Sequence, residues 1–224
     1  MQYAILKQPR VLPRNLKYQA AKRVFDVGLS ILSLPVTLVI MFICALAIRL
    51  DSPGPALFVQ ERIGKGGRRF RMYKFRTMQV IINDQQCRSF MKAYIRGDLD
   101  CDDQAPEIFK PPITQQITRV GRILRKTSLD ELPQLINVFK GEMSIVGPRP
   151  NVPWEVEEYR PWHHERLEVL PGITGLAQVR GRSCIDFVSL VRFDIEYIEK
   201  QSFAMDLKIL WWTAMSVLKA NGAK

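Results

Sequence analysis

The sequence has little of what metal centres and disulfide frameworks are built from. It contains only two histidines, His163 and His164, which are adjacent, and four cysteines that form no CxxC pair. Zinc-site spacing is therefore absent. So few cysteines also indicate no disulfide framework, and they favour a reducing compartment.

Acidic residues are outnumbered. The chain carries 33 Lys and Arg against 22 Asp and Glu, a net charge of +11. Such an excess points to anionic partners, which are phosphate-bearing substrates, nucleic acid or an acidic membrane surface. No basic–aromatic motif of the common RNA-binding modules is present, so nucleic acid is not an expected partner. The 224 residues, 47% of them hydrophobic, suit one compact domain plus an appendage.

One long apolar run stands near the N-terminus. Val27 to Ile48 contains 22 residues without a charge, between Asp26 and Arg49. The run is long enough to span a bilayer as a helix and longer than the apolar core of a usual signal peptide. Basic residues flank it on both sides, whereas a spanning helix normally keeps Lys and Arg on its cytoplasmic side.

Pro35 lies inside this run. Proline removes a backbone donor and clashes with the preceding turn, so it can kink or break a helix. A helix that enters the membrane, bends at Leu34-Pro35 and leaves on the same face would explain two basic flanks. A tilted span with a proline kink is an equal alternative on the residues alone.

The remaining chain predicts mixed secondary structure. Strands are expected over Ala56 to Ile63 and Arg69 to Phe75, joined by a hairpin loop at Gly64–Gly67. Helices are expected near 79–97, 133–140, 152–169 and 185–200, and a loop from Asp98 to Pro112.

A C-terminal apolar stripe has helical spacing. Two interpretations are open, a helix that packs on the core and an interfacial helix with Trp211 and Trp212 at the depth of the lipid headgroups. The stripe consists of Leu207, Leu210, Trp211, Ala214 and Leu218.

An acidic pair, Asp130-Glu131, follows a basic cluster at 119–126. Ser128 and Glu131 match a capping box, but Pro133 would then fall in the helix interior, where its missing N–H breaks the ladder. Proline fits better in the first turn and disfavours helical geometry at the residue before it. We therefore place the pair just ahead of a helix N-terminus, where the dipole favours an ionised carboxylate or a bound phosphate.

An ionised aspartate such as Asp130 can attack phosphorus and form an acyl phosphate. The attack requires positive charge on the phosphoryl oxygens, which arginines or a divalent metal supply. Arg125 lies close in sequence, and Arg149 stands between two prolines that stiffen its backbone. The alternatives are a solvated basic face for 119–126 and a surface arginine at 149.

Together these segments resemble the monotopic phosphoglycosyl transferases, also called bacterial sugar transferases, from Lys22 to about Leu218. Each motif alone is weak, but their order and spacing are specific. The motifs are Lys22-Arg23-Val24-Phe25-Asp26, Ser52-Pro53-Gly54-Pro55, Lys74-Phe75-Arg76-Thr77-Met78, Arg125 to Leu135, Gly147-Pro148-Arg149-Pro150 and Pro171-Gly172-Ile173-Thr174-Gly175.

The resemblance implies a chemistry. Family members use Mg²⁺ and a covalent enzyme–phosphosugar intermediate, and they move a sugar phosphate from a UDP-sugar to undecaprenyl phosphate with release of UMP. Asp130 is then the expected nucleophile and Glu131 its metal-associated partner, so both are expected near the metal. The expected phosphate- and substrate-binding residues are Arg125, Arg149, Arg76, Lys126 and Arg182.

The resemblance also implies an architecture. We expect an α+β, mainly helical fold with a re-entrant membrane helix broken at Pro35, a small β-hairpin and a cytosolic helical catalytic domain. Residues 1–50 would form the basic N-terminus and membrane helix, and residues 51–224 the catalytic domain with its interfacial C-terminal helix. Both termini would lie on the cytoplasmic face of the bacterial inner membrane, and the chain would be the minimal catalytic form.

Two departures from the family pattern stand out. The helix break is often Ser-Pro, whereas here it is Leu34-Pro35 with Ser33 one residue earlier. The run after Gly175 carries Arg180, an added charge that could affect the choice of donor. Two other functions remain open on the residues, a non-catalytic basic membrane scaffold and a glycosyltransferase that releases nucleoside diphosphate.

Overall fold

The computed structural model describes residues 16–79, 84–98, 117–181 and 185–218. Helices predominate and the strands form two small pairs, which confirms an α+β, mainly helical fold. The helices are α1 (Leu16–Asp51), α2 (Asp84–Arg96), α3 (Arg119–Thr127), α4 (Leu135–Lys140), α5 (Pro153–Val156), α6 (Leu176–Gly181), α7 (Phe187–Lys200) and α8 (Phe203–Leu218). The strands are β1 (Leu57–Ile63), β2 (Arg69–Phe75), β3 (Ser144–Val146) and β4 (Gly172–Thr174).

Helix α1 has 36 residues and, within the described ranges, is the single helix long and apolar enough to cross a membrane. Its segment from Ile31 to Ile43 contains no fully buried residue. The predicted break at Pro35 is wrong for the secondary structure, because the helix runs through it. Hydroxyl groups bond to backbone carbonyls around the proline, Ser33 Oγ to Ser30 O and Thr37 Oγ1 to Ser33 O, both at 3.0 Å. Such bonds accompany bending without ending a helix.

Strands β1 and β2 form the predicted hairpin. They pair antiparallel from Leu57 opposite Phe75 to Ile63 opposite Arg69, and a short 3-10 turn joins them. Alternate residues of a strand share a face. The β2 face that buries Phe70 and Met72 therefore continues into position 74.

Strands β3 and β4 form a parallel pair that the sequence analysis missed. Ser144 pairs with Gly172 and Val146 with Thr174. The backbones lie so close that a Cβ at Gly172 would collide with the backbone of Gly147. The pair ends where the Gly147-Pro148-Arg149-Pro150 segment begins, so it fixes the start of that segment.

The predicted helix at 152–169 is also wrong. The structure has the short α5 and a separate 3-10 helix, Pro161–Leu167. Each begins with a proline in its first turn, where the missing N–H costs nothing, and Pro161 would break a continuous helix. The predicted loop at Asp98 to Pro112 lies almost wholly outside the described residues.

Helix α8 packs one side on the core, but most of the predicted C-terminal stripe stays exposed, and its contact with a membrane stays a prediction. Asp206 and Ile209 are buried, and Leu210 packs against the core. Leu207 and Trp211 stay 55% and 65% exposed. One side of the helix therefore serves the core, and the opposite side presents apolar surface.

Candidate active site

The acidic pair lies in a 3-10 helix, Leu129–Gln134, which we call the acidic turn. Ser128 ends α3 in the left-handed region, with φ 57°, and its side chain makes no capping hydrogen bond. The capping-box interpretation is thereby excluded. Helix α4 begins two residues after Pro133, so the pair does precede an α-helix, but it lies in the first turn of a 3-10 helix that was not predicted, and Pro133 falls inside that 3-10 helix.

Glu131 sits between two cations. Its Oε1 lies 2.8 Å from Lys74 Nζ and 3.6 Å from Arg149 Nη1. The Lys74 and Glu131 side chains are 15% and 20% exposed, whereas that of Arg149 is 48% exposed. Lys74 therefore forms the inner wall of the site, and Arg149 faces solvent, where a substrate can reach it.

The two carboxylates are driven apart in acidity. Burial raises the pKa of Asp130, and the neighbouring Glu131 charge raises it further, against the pull of Lys74, Arg125 and Arg149. Burial also acts to raise the pKa of Glu131, but Lys74 and Arg149 outweigh it and the pKa is lowered. Like charges in one site separate in this way. Glu131 is thus held ionised as the partner of the cations, and Asp130 is the carboxylate of the pair whose pKa is raised.

Asn137 fixes the acidic turn against β2. Its side chain is fully buried, and its amide makes the hydrogen bonds with β2 that a neighbouring strand would make. Oδ1 accepts from Tyr73 N at 3.1 Å, and Nδ2 donates to Arg71 O at 2.7 Å. These two backbone groups stand on either side of Met72, two residues before Lys74. The amide therefore ties α4, which follows the acidic turn, to the strand that carries Lys74.

Two arginines hold the backbone around Arg149. Arg166 Nη2 donates to the Arg149 carbonyl at 3.2 Å, and Arg62 Nη1 donates to the Pro150 carbonyl at 3.0 Å. Arg166 is 3% exposed and forms an ion pair with buried Asp194 at 2.5 Å. The guanidinium of Arg149 thus projects from a backbone that is anchored on both sides.

The other predicted site residues have different places. Arg125 lies in the last turn of α3, close enough for its charge to offset part of the rise in the pKa of Asp130. Lys126, next to it, is exposed. Arg76 is 7% exposed and directed to the turn after α1, where it donates to the carbonyls of Ser52 and Pro53. Arg182 lies outside the described residues.

Lys74 and two amides, Gln134 and Gln178, were missed as site residues. Together with Glu131 and Arg149 they line a cavity of about 10 Å³, which holds at most one water. This cavity is too small to hold a substrate. The signal for Lys74 was strand alternation, because a lysine on the buried face of β2 requires an ionic partner. A larger groove, about 300 Å³, lies beside Trp162 and Glu196 and includes none of the predicted site residues.

The acidic pair carries the type of ligand that magnesium prefers. Mg²⁺ is commonly held by one or two carboxylates, with waters and substrate phosphates completing its shell. Asp130 and Glu131 supply two carboxylates, and the ion pairs that Glu131 makes with described residues use Oε1, so that among these residues Oε2 is left for a cation. Over the described ranges no cluster of three or more His, Cys, Asp or Glu residues could form an all-protein cage.

Comparison with known proteins places these residues in context. A model of the family described as "bacterial sugar transferase" matches residues 17–220. The galactosyl transferase CpsE of Streptococcus agalactiae serotype III is 41% identical over 206 residues, which cover 91% of this chain and 43% of the relative. The undecaprenyl-phosphate galactose phosphotransferase of Salmonella typhimurium is 41% identical over 202 residues, covering 90% and 41%. The UDP-glucose:undecaprenyl-phosphate glucose-1-phosphate transferase of Caulobacter vibrioides is 40% identical over 221 residues, covering 95% and 74%. The chain thus spans about two fifths of the first two relatives and three quarters of the third.

Proposed function

The chain belongs to the bacterial sugar transferase family, and we propose that it transfers a sugar 1-phosphate from a UDP-sugar to undecaprenyl phosphate, releasing UMP. The observation that carries this proposal is the ion-paired cluster of Lys74, Glu131 and Arg149 beside Asp130. A carboxylate that attacks an anionic diphosphate needs positive charge close to the reacting phosphorus. The names of the Salmonella and Caulobacter relatives support undecaprenyl phosphate as the acceptor, and the Caulobacter name supports a UDP-sugar donor.

The first step is attack by an Asp130 oxygen on the phosphorus that bears the sugar. A bond forms between Asp130 and this phosphorus, and the bond to the bridging oxygen breaks, so that UMP leaves with the electron pair. Arg149 binds and orients the diphosphate from the exposed side, and Arg125 contributes positive charge near Asp130. Lys74 holds Glu131 ionised and in place.

The second step reverses the chemistry with a new nucleophile. A phosphate oxygen of undecaprenyl phosphate attacks the same phosphorus, and the Asp130 carboxylate leaves unchanged. Both nucleophiles are already anions, so no general base is needed. This agrees with the place of His163, which is fully buried among the rings of Tyr159, Trp162 and Phe187.

We also propose a resident Mg²⁺ held by Asp130 and Glu131. When bound, the ion supplies further positive charge to the diphosphate oxygens. The chain's own part is to present the two carboxylates on the rigid acidic turn, which Asn137 ties to β2.

The membrane helix is proposed to be re-entrant, with both termini on the cytoplasmic face of the inner membrane. Residues of α1 on both sides of the apolar segment contact the same domain, Asp26 at β3 and Ile48 at Phe75. The stretch between them without buried residues, Ile31 to Ile43, is about 20 Å long at 1.5 Å per residue. That is shorter than the roughly 30 Å hydrocarbon core of a bilayer. The exposed apolar side of α8 would rest on the same membrane surface.

The test of the reaction is nucleotide release from a panel of UDP-sugars. The purified protein, in detergent with Mg²⁺ and undecaprenyl phosphate, should release UMP with at least one sugar. Release of UDP would instead indicate a glycosyltransferase that keeps the phosphate on the nucleotide. No nucleotide from any donor would contradict the proposal and favour a lipid-binding scaffold.

The topology has its own test. A reporter fused at residue 1 should be active in the cytoplasm and silent in the periplasm. A periplasmic signal would show that α1 spans the membrane.

A further inference from the structure

Asp26 is a buried charge next to an apolar membrane segment. It is 2% exposed, and a buried carboxylate is costly unless hydrogen bonds compensate it. Both of its oxygens are bound by β3. Oδ2 accepts from Ser144 Oγ at 2.7 Å, and Oδ1 accepts from Ile145 N at 3.3 Å. The first part of α1 is thus joined directly to this strand.

A second polar route leads from α1 to the same strand. Asp206 on α8 is 1% exposed and accepts hydrogen bonds from Tyr18 at 2.7 Å and Lys22 at 2.8 Å. It also accepts from the Tyr197 hydroxyl at 2.8 Å, and that hydroxyl lies 3.1 Å from the Val146 carbonyl. Two sets of α1 side chains therefore bear on β3.

The strand continues stiffly into Arg149. Gly147 follows β3 and donates its N–H to Thr174 O at 2.8 Å. Pro148 and Pro150 restrict φ on both sides of Arg149. A shift of β3 is therefore transmitted to the Arg149 guanidinium instead of being absorbed by a flexible loop.

We propose that Asp26 is a positioning residue for Arg149, so that the first part of the membrane helix sets the place of this guanidinium through β3. The role of Arg149 in binding the donor rests on the proposed function, whereas the mechanical coupling does not. The consequence is that donor binding depends on how α1 is seated against the domain.

The test compares Asp26→Leu with Asp26→Asn in the full chain in detergent. Leucine has a similar volume but removes both acceptors. Asparagine keeps a carbonyl for Ile145 N and can donate to Ser144 Oγ, whose own hydrogen can go to Val146 O at 3.0 Å. Amide hydrogen exchange should rise about tenfold over residues 144–147 in the leucine variant and less than about twofold in the asparagine variant. Exchange over 129–134 should stay unchanged in both.

Ile48→Ala is the matched control from the other end of α1. Ile48 is 2% exposed and packs against Phe75 and Leu124. Its loss should speed exchange near 120–131 and leave 144–147 unchanged. The coupling would be overturned if Asp26→Leu accelerated exchange equally at 120–131 and 144–147, or if it caused no acceleration at 144–147. If Asp26→Leu does not fold, Ser144→Ala removes one hydroxyl and should give the same pattern at about threefold.

Donor kinetics separate the coupling from the proposed function. The donor KM should rise about tenfold in Asp26→Leu, with kcat changed less, and return to within about twofold in Asp26→Asn. Faster exchange at 144–147 with an unchanged KM would show that β3 does not position Arg149. Faster exchange in a protein that releases no nucleotide from any donor would keep the coupling and reject the reaction.

Discussion

The two ends of the membrane helix attach to one domain by different chemistry. The first half of α1, residues 16–34, is attached mainly through polar groups, and Tyr18 and Phe25 also pack against Phe203. Lys22 forms an ion pair with Asp206, and Asp26 accepts hydrogen bonds from Ser144 and Ile145. These two contacts lead to β3 and the segment that carries Arg149, whereas Arg23 donates to the Val138 and Phe139 carbonyls of α4.

The second half, residues 35–51, attaches through apolar packing. Cys44 and Ile48 are buried against Phe75 and Leu124, in a cluster that also includes Leu129 of the acidic turn. Its polar contact with the described part of the domain comes at the end, where Asp51 accepts from Val120 N at the start of α3. These contacts lead to the segment that carries Asp130.

The difference shows which half sets the geometry. Hydrogen bonds are directional, so the first half fixes the rotation and register of α1 on the domain. Apolar packing tolerates changes that conserve volume. Beside a membrane it also gives little driving force, because lipid tails are as apolar as leucine. We infer that the first half positions the site and the second half mainly fills space.

The largest expected effect on turnover is that of replacing Asp130, which lies in the segment that the second half of α1 contacts. Asp130→Asn should lower turnover at least about 10³-fold, because the amide cannot form the acyl phosphate. Neither set of α1 contacts involves this side chain, so the membrane-bound fraction should not change. The measurement is UMP release together with flotation on vesicles. Full-rate turnover in this variant would reject Asp130 as the nucleophile.

Lys74 belongs to neither half, and it joins the two segments that they support. Lys74→Met should lower kcat/KM by about 100-fold. It leaves Glu131 without its closest cation, and Glu131 is also the ion-pair partner of Arg149, so the position of Arg149 changes as well. Lys140→Met is the control, because that lysine is exposed and bonds only the Tyr73 hydroxyl in the described structure. Similar losses in both variants would mean that general charge, and not this ion pair, matters.

Much of this arrangement could be read from the sequence, and the exceptions have physical causes. The hairpin and the place of Asp130 were predictable because alternation, glycine and Pro133 are local signals. Strands β3 and β4 were not, since each has three residues and is held by a partner distant in sequence. Asn137 was missed for the same reason, because an amide that replaces a strand looks like any polar residue in a helix.

The partners of α1 show the same limit. Asp26 was recognised only as part of a motif. The groups that donate hydrogen bonds to its carboxylate lie 118 and 119 residues away in the sequence. The apolar run itself was evident from composition. The sequence thus reveals that a helix meets the membrane, whereas the polar contacts that seat it require the folded chain.

Matched substitutions should separate the two kinds of contact in stability. Asp206→Leu should lower the free energy of unfolding by about 3 kcal/mol or more, because it leaves Lys22, Tyr18 and Tyr197 without their shared acceptor. Ile48→Leu conserves volume and should cost less than about 1.5 kcal/mol. Urea unfolding in detergent, followed by near-ultraviolet circular dichroism, measures both. Equal losses would remove the distinction between the halves.

The smallest effect concerns pH and should appear in the first half only. Burial raises the pKa of Asp26 above its ordinary value, and nearby Asp206 adds to this, against Lys22 and the hydrogen bonds from Ser144 and Ile145. The folded chain therefore holds the Asp26 proton more tightly than the unfolded chain does. That contribution to stability is fully present below the ordinary carboxyl pKa of 3.8 and is lost as pH rises through the folded value.

Asp26→Asn does not titrate, so its stability relative to the wild type should improve as pH rises from 4 towards 7. Ile48→Leu, whose contacts are apolar, should follow the wild-type curve at a constant offset. Unfolding titrations at several pH values would measure both differences. A flat difference for Asp26→Asn would mean that this carboxylate is solvated in solution. The first half would then be attached as loosely as the second, and the positioning of Arg149 would have to be sought in Tyr197 alone.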